Sequence, residues 1–339
     1  MSDMLLSRRP SPLLFRPRKR APAQRWGRAF SPFILLMGLL GGGHACAGEL
    51  EMRRFWQGTI ERLAREPIEA QVESVPEPVP YSTYRITLRS LGGVRIKARL
   101  ALPIQGEGPA PRWPVIITAP GYGGTQQGVM LSECQRGYAI LQVYPRGQGD
   151  SASLYEIKGD KLTAQLDHPE GAYYQGGYAD VLRAIDFASS RPDLDPSRIA
   201  LVGTSQGGGI VLAAASLDPR VKAVVAHVPF LCDFRAAAQR PSLVKTLLDR
   251  AQRNDEQALS TLDYFDPLRL VSRLKVPTLL SAGGKDHTCP PETIQAVHDQ
   301  IASDHKTLKR YPNLGHTSCL EFYNLTWPWL DRQLRGTSD

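Results

Sequence analysis

The stretch Leu201-Val202-Gly203-Thr204-Ser205-Gln206-Gly207-Gly208-Gly209-Ile210 constrains this chain more than any other. Ile199 to Val202 is an apolar run of one buried strand's length, and Ile210 to Ala215 opens a helix-compatible run. Only small residues lie near their junction, so the chain must turn sharply from strand to helix. Gly203 and Gly207 bracket Ser205 as G-x-S-x-G. Glycine at both places lets neighbouring backbones pass closely and leaves the serine hydroxyl at the tip of the turn. The first N–H groups of the new helix point at the same spot. Taken alone, the pattern also fits a glycine-rich turn that merely contains a serine. Its meaning rests on what the other strand ends carry.

The chain has 339 residues, enough for one large α/β domain or two small ones. Its 42% hydrophobic and 22% charged content excludes a disordered chain. The net charge of +8 suggests nucleic acid until it is located. Residues 1–47 hold eight Arg/Lys and one acid, which leaves 33 basic and 32 acidic residues in the body. The body therefore has no bulk electrostatic case for nucleic acid. The leader itself runs from an Arg- and Pro-rich segment into Phe33–Leu40 and then Ala45-Cys46-Ala47. That is the layout of a secretory signal peptide, with cleavage expected after Ala47 and a periplasmic or extracellular destination. The apolar run is too short for an ordinary transmembrane helix, so no stable membrane insertion is expected once the leader is removed. An uncleaved anchor and a basic tail are the alternatives, and Ser7-Arg8-Arg9 leaves the twin-arginine route open. Cys134, Cys232, Cys289 and Cys319 would remain in the mature chain, either as disulfides or as buried thiols. No CxxC or clustered Cys/His spacing suggests a metal.

After the leader, residues 48–80 read as a helix over Glu49–Arg65 and a Pro-rich linker at 76–80, with the main domain over 81–339. Thr83–Arg89 and Val94–Leu102 read as a β-hairpin. Strands are expected at Pro114–Ala119, Tyr138–Tyr144, Ile199–Gly203, Ala223–Val228, Pro277–Ala282 and Lys306–Tyr311. Helices are expected from the Gly121–Gly124 loop to about Cys134, at Tyr178–Ser190, after Ser205 to Leu217, at Pro291–Ile301 and at Cys319–Leu334. Residues 152–175 look irregular, and 230–262 read as a helical insertion near the active face. Alternating strands and helices predict a mainly parallel sheet covered on both faces.

Two further strand ends carry matching chemistry. Gly283-Gly284-Lys285-Asp286 follows one strand and Pro312-Asn313-Leu314-Gly315-His316 the next. Open α/β sheets place their sites beyond such ends. A serine hydroxyl is not ionised at neutral pH, so an imidazole must take its proton, and a carboxylate must fix that imidazole's tautomer. Ser205, Asp286 and His316 supply these types in the order Ser, Asp, His. His287 and His305 are the runners-up for the base, and Asp263 and Asp266 read as caps or turn residues. The backbone N–H groups of Gln206 and Tyr122 are the candidate oxyanion donors, and the Tyr122 side chain also reads as a wall of the substrate site.

Arg146-Gly147-Gln148-Gly149-Asp150-Ser151, Gly203-Thr204-Ser205-Gln206-Gly207-Gly208-Gly209, Pro229-Phe230-Leu231-Cys232-Asp233-Phe234 and Asp286 followed by Cys289-Pro290-Pro291 resemble the acetyl xylan esterase/cephalosporin C deacetylase family of α/β-hydrolases. The resemblance covers roughly residues 75–335. It implies an α/β-hydrolase fold, with Ser205 as nucleophile, Asp286 as orienting acid, His316 as base, and Arg146 and Gln148 bracing the site. Thr317 stands where the family has Glu, a position outside the three reacting residues. The activity implied is removal of acetyl groups from acetyl xylan, xylo-oligosaccharides or similar small acetyl esters. The implied partner is a small acetylated substrate, with no metal or organic cofactor and homo-oligomers left open. A peptidase or longer-chain esterase on the same scaffold, and a non-catalytic binding protein, are the rival readings.

Overall fold

The computed structural model describes residues 47–104, 112–317 and 319–336. Residues 1–46 of the proposed leader, Cys46 included, lie outside them, and its last residue, Ala47, is the first of the described chain. Helix α1 (Ala47–Arg65) leads into strands β1 (Gln71–Val75), β2 (Tyr81–Arg89) and β3 (Arg95–Pro103). Strand β4 (Trp113–Ala119), β5 (Ala139–Tyr144), helix α2 (Tyr173–Ser190), β6 (Leu194–Thr204), helix α3 (Gln206–Leu217) and β7 (Val221–His227) follow. Short helices α4 (Phe234–Ala238), α5 (Leu243–Ala251), α6 (Glu256–Leu262) and α7 (Pro267–Leu270) form the insertion. The chain closes with β8 (Thr278–Gly283), α8 (Pro291–Gln300), β9 (Lys306–Tyr311) and α9 (Leu320–Arg335).

The strands make one sheet in the order β1-β2-β3-β5-β4-β6-β7-β8-β9. From β5 to β9 every neighbouring pair is parallel, while β1, β2 and β3 join antiparallel. Alternation along β4 shows why both faces need a cover. Val115, Ile117 and Ala119 enter a core shared with α1, α2 and α3, whereas Ile116 enters a smaller core with Phe322, Trp327 and Leu330 of α9. Among the described residues no helix is long and apolar enough to cross a membrane.

Three local expectations are corrected. Residues 71–75 form a strand, and they escape a pattern search because this edge strand is almost wholly exposed. The segment after Gly124 is not a helix to Cys134. Gln127 instead bridges back to Pro120, and only Leu131–Arg136 winds into a 3₁₀ turn. Helix α2 begins at Tyr173, five residues earlier than its apolar spacing suggests, because Gly176-Gly177 interrupts the pattern. Gly176 has a positional reason: a Cβ there would lie 2.4 Å from the Arg146 guanidinium.

Helix α1 is packed into the same core as the sheet. Trp56 is 1% exposed, stacks on Tyr178 with centroids 5.7 Å apart, and donates its indole N–H to the Tyr264 carbonyl at 2.8 Å. Truncating a buried indole leaves both a cavity and an unpaired carbonyl. Trp56→Ala is therefore expected to cost about 3–5 kcal/mol of unfolding free energy. Urea titration of the purified protein checks this, and an unchanged midpoint would show that α1 is not part of the cooperative unit.

Candidate active site

All the chemistry-bearing positions gather at the C-terminal ends of the parallel strands. Ser205 follows β6, Tyr122 follows β4, Arg146 and Gln148 follow β5, Asp286 follows β8 and His316 follows β9. Ser205 sits at φ +56°, ψ −123°, a region that L-residues rarely adopt and that costs on the order of 1–3 kcal/mol. The surroundings hold it there. Its N–H donates to the His227 carbonyl at 2.9 Å, and its carbonyl accepts from Phe230 and Gly209 at 2.8 and 3.1 Å. Gly207 is obligatory by space, since a Cβ would lie 2.1 Å from the Ala119 carbonyl oxygen. That contact brings the first turn of α3 against the end of β4, next to the Gly121–Tyr122 loop.

The structure brings the three predicted side chains into one relay. His316 Nε2 lies 2.9 Å from Ser205 Oγ, and His316 Nδ1 lies 2.8 Å from Asp286 Oδ2. Asp286 is 2% exposed, and its other oxygen accepts the Thr288 and Cys289 N–H groups, both at 2.8 Å. One carboxylate is thus fixed by backbone donors and left with one oxygen for the imidazole. The loops after β8 and β9 are zipped together by Gly284 N–H to Tyr311 O and Lys285 N–H to Leu314 O, at 2.9 and 2.8 Å. This arrangement can move a proton from a serine hydroxyl to an imidazole whose charged form is stabilised. His287 and His305 are exposed, and it is His316 that hydrogen-bonds Ser205. Asp263 pairs with Arg235, and buried Asp266 caps two helix starts through the Phe234 and Leu268 N–H groups.

Ser205, His316, Tyr122, Val228 and Leu243 line one cleft of about 540 Å³. A larger groove of about 730 Å³, between the start of α1 and Asp263–Arg269, holds none of the candidate residues. Tyr122 lines the reaction cleft, but its hydroxyl is already committed to Asp160 and to the Leu162 N–H at 3.1 Å. Gln206 is fully buried, so its side chain faces protein rather than substrate. It donates to the Pro120 and Gly121 carbonyls at 3.3 and 3.4 Å and to Gln148 Oε1 at 3.0 Å. The side chain ties the loop after β4 to the loop after β5 behind the serine turn.

Several participants escaped sequence reasoning. Tyr173 and Tyr174, in the stretch read as irregular, donate to Gln148 Oε1 at 3.1 Å and Gln206 Oε1 at 3.2 Å. Burial pushes both phenols well above their usual pKa, which keeps them as donors. Asp180 is fully buried on α2 and takes a forked contact from Arg146, with Nε and Nη2 at 3.0 and 2.8 Å. The Arg146 backbone N–H and the Ser90 hydroxyl add two more donors, at 2.8 and 2.6 Å. An acid directly before the apolar spacing of Val181, Leu182 and Ile185 was the available signal.

His227 is the other omission. It is 8% exposed, stacks on Phe322 at 4.8 Å, and its Nε2 has no hydrogen-bond partner among the described residues. Burial, and then the nearby His316 imidazole, push it down to about 4. The four cysteines 134, 232, 289 and 319 are free thiols. Asp286, Cys289 and His316 offer ligand atoms within 4.8 Å of one another. Burial raises the Cys289 thiol well above its usual range, and Asp286 is committed to backbone N–H groups and His316, so this set fits an oriented imidazole better than a cation.

A mainly parallel sheet with a strained serine turn after its central strand, an acid two strands on and a histidine after the last defines an α/β-hydrolase. The chain belongs to the acetyl xylan esterase (AXE1) family, whose model matches residues 47–332, a family of carboxylic ester hydrolases. It is 30% identical to the acetyl xylan esterase from Paenibacillus sp. R4, with a TM-score of 0.76 over 84% of this chain and 95% of that one. The fold also matches acetyl xylan esterase 1 from Thermoanaerobacterium sp. JW/SL YS485, at TM-score 0.74 and 24% identity over 83% and 92% of the two chains. Acetyl esterase Axe7A of Xylanibacter ruminicola is 25% identical over 83% of this chain, and the match spans 66% of that relative's length, just under two thirds.

Two measurements test the site's construction. Asp180→Ala leaves the Arg146 guanidinium buried without its counter-charge and should destabilise by about 3–5 kcal/mol in urea. The second concerns pH. Folded His227 binds its proton only near pH 4, whereas an unfolded histidine does so near 6.5, so the unfolded chain gains the proton first. Stability from this group is present above about pH 6.5 and is lost as pH falls towards 4, by up to about 3 kcal/mol. Urea midpoints of His227→Gln should fall less steeply than wild type over that window, and parallel profiles would refute the assignment.

Proposed function

We propose that the protein is a serine carboxylesterase that removes acetyl groups from carbohydrate, of the acetyl xylan or xylo-oligosaccharide type, or from similar small acetyl esters. The observation that carries this reading is the unbroken chain from Ser205 Oγ through His316 to Asp286, at 2.9 and 2.8 Å, in a member of this family. In the proposed cycle Ser205 Oγ attacks the acetyl carbonyl carbon while His316 Nε2 accepts its proton. Asp286 stabilises the imidazolium through Nδ1. The backbone N–H groups of Tyr122 and Gln206 take the developing oxyanion; neither donates to a backbone carbonyl among the described residues. Collapse expels the alcohol, which leaves with the proton from His316. Water then attacks the acetyl-enzyme by the same route in reverse, releasing acetate and restoring Ser205.

The protein names of the relatives support the acetyl specificity, and Val228 and Leu243 give the cleft an apolar wall suited to a short acyl group. Export belongs to the same proposal and rests on the leader pattern alone; N-terminal sequencing of secreted protein that begins at Gly48 would support it. Ser205→Ala and His316→Ala should each lower kcat for p-nitrophenyl acetate by on the order of 10⁴-fold or more, and by similar amounts, because groups that act as a unit fail together. Retained activity in either variant sinks the mechanism. A chain-length series that favoured octanoyl over acetyl esters would instead point to a longer-chain esterase.

A further inference from the structure

The segment between β5 and α2 puts a cation beside the reaction cleft, against one of the residues that line it. The Lys161 ammonium stands 4.3 Å from the centroid of the Tyr122 ring, and Tyr122 lines the cleft that holds Ser205 and His316. The side chain is half-buried, and among the described residues it forms no ion pair within 4.0 Å. Its neighbour Asp160 is otherwise engaged: it accepts the Tyr122 hydroxyl and the Leu162 N–H at 3.0 Å. Desolvation pulls the Lys161 pKa down, which is the signature of an ammonium stripped of water and only weakly compensated by Asp160. Glu156 and Lys158 of the same segment are exposed and oppose each other in sign.

Lys161 and the oxyanion donor are linked through a single residue. Tyr122 carries the proposed oxyanion N–H on its backbone and the ammonium against its ring, while Phe230 braces the same ring edge-on at 5.6 Å. The ammonium therefore stands on the Tyr122 ring, one residue beyond those that line the reaction cleft. An acetyl group is too short to reach it and carries no charge. Any group that Lys161 meets must belong to the alcohol portion of the ester.

We propose that Lys161 forms an anion subsite, and that the preferred substrates are acetyl esters whose alcohol portion carries a carboxylate, as in a uronate-bearing oligosaccharide. This rests on the esterase reading and adds the substrate class to it. A substrate carboxylate would add a direct ion-pair partner to the weak attraction of Asp160, in a half-buried setting where a charge pair is screened less than at the open surface.

The test compares 3-acetoxybenzoate with 3-acetoxybenzamide, two aryl acetates alike in size that differ in charge. The ratio of their kcat/KM values in wild type is divided by the ratio in Lys161→Met, so that intrinsic leaving-group reactivity cancels. About a tenfold fall in preference for the benzoate is expected on losing the charge, with recovery in Lys161→Arg. Added salt should erode the wild-type preference and leave Lys161→Met unaffected. An equal loss for both esters would mean that Lys161 merely props Tyr122, and no change for either would mean that it faces solvent; each result overturns the subsite. If wild type hydrolysed neither ester, the esterase reading would fall and the subsite with it. Turnover of both without a charge preference overturns the subsite alone.

Discussion

The contact between Gly207 and the Ala119 carbonyl is the constraint on which the site depends. It lets α3 start so close to the end of β4 that the serine turn and the Gly121–Tyr122 loop face a common point. The backbone conformation of Ser205 is costly, and its cost is offset by three backbone hydrogen bonds, to β7, to the loop after it and within α3. The strain therefore belongs to the assembled sheet, not to the pentapeptide. A turn of the same composition without β4 and β7 beside it would have no reason to hold the serine at positive φ.

Behind the turn lies a polar layer that a simple account of an apolar core would leave out. Gln206, Gln148, Tyr173 and Tyr174 satisfy one another at bonding distance while all are almost wholly buried. Arg146 and Asp180 are joined by two charge-assisted bonds, with Ser90 and the Leu91 carbonyl filling the remaining capacity. Such a network contributes little net stability compared with apolar packing, yet losing one member strands the others without water. Its value is geometric. It fixes the positions of the 120–122 and 146–148 loops relative to α3, which is what an oxyanion site of backbone donors requires.

The same strand ends also explain the insertion. Leu243 of α5 reaches the cleft, and its N–H donates to the Thr288 carbonyl at 3.1 Å, close to Asp286. Helices that interrupt the strand alternation thus return one apolar side chain to the reaction cleft. The other side of that cleft is held by the 160–162 segment through Tyr122. Residues from two sequence-distant excursions shape what can enter.

The α/β-hydrolase fold, the strands around Ser205, Asp286 and His316, and the family were legible in the chain itself. Strongly periodic or uniformly apolar segments such as Val115–Ala119 carry their own structural signal, and G-x-S-x-G flanked by them admits few turns. What stayed illegible has a common cause. Strand β1 is exposed and lacks a pattern, the first turn of α2 is hidden by a glycine pair of which Gly176 admits Arg146, and Tyr173, Tyr174, Asp180 and His227 act through partners far away in sequence. The sequence by itself determined which residue types stand at which strand ends, because local spacing and backbone sterics suffice for that. Only the tertiary structure decided that Gln206 faces Gln148 rather than substrate, that Tyr122's hydroxyl is spent on Asp160, and that the Lys161 ammonium stands against the Tyr122 ring, because burial and pairing are properties of the assembled neighbours.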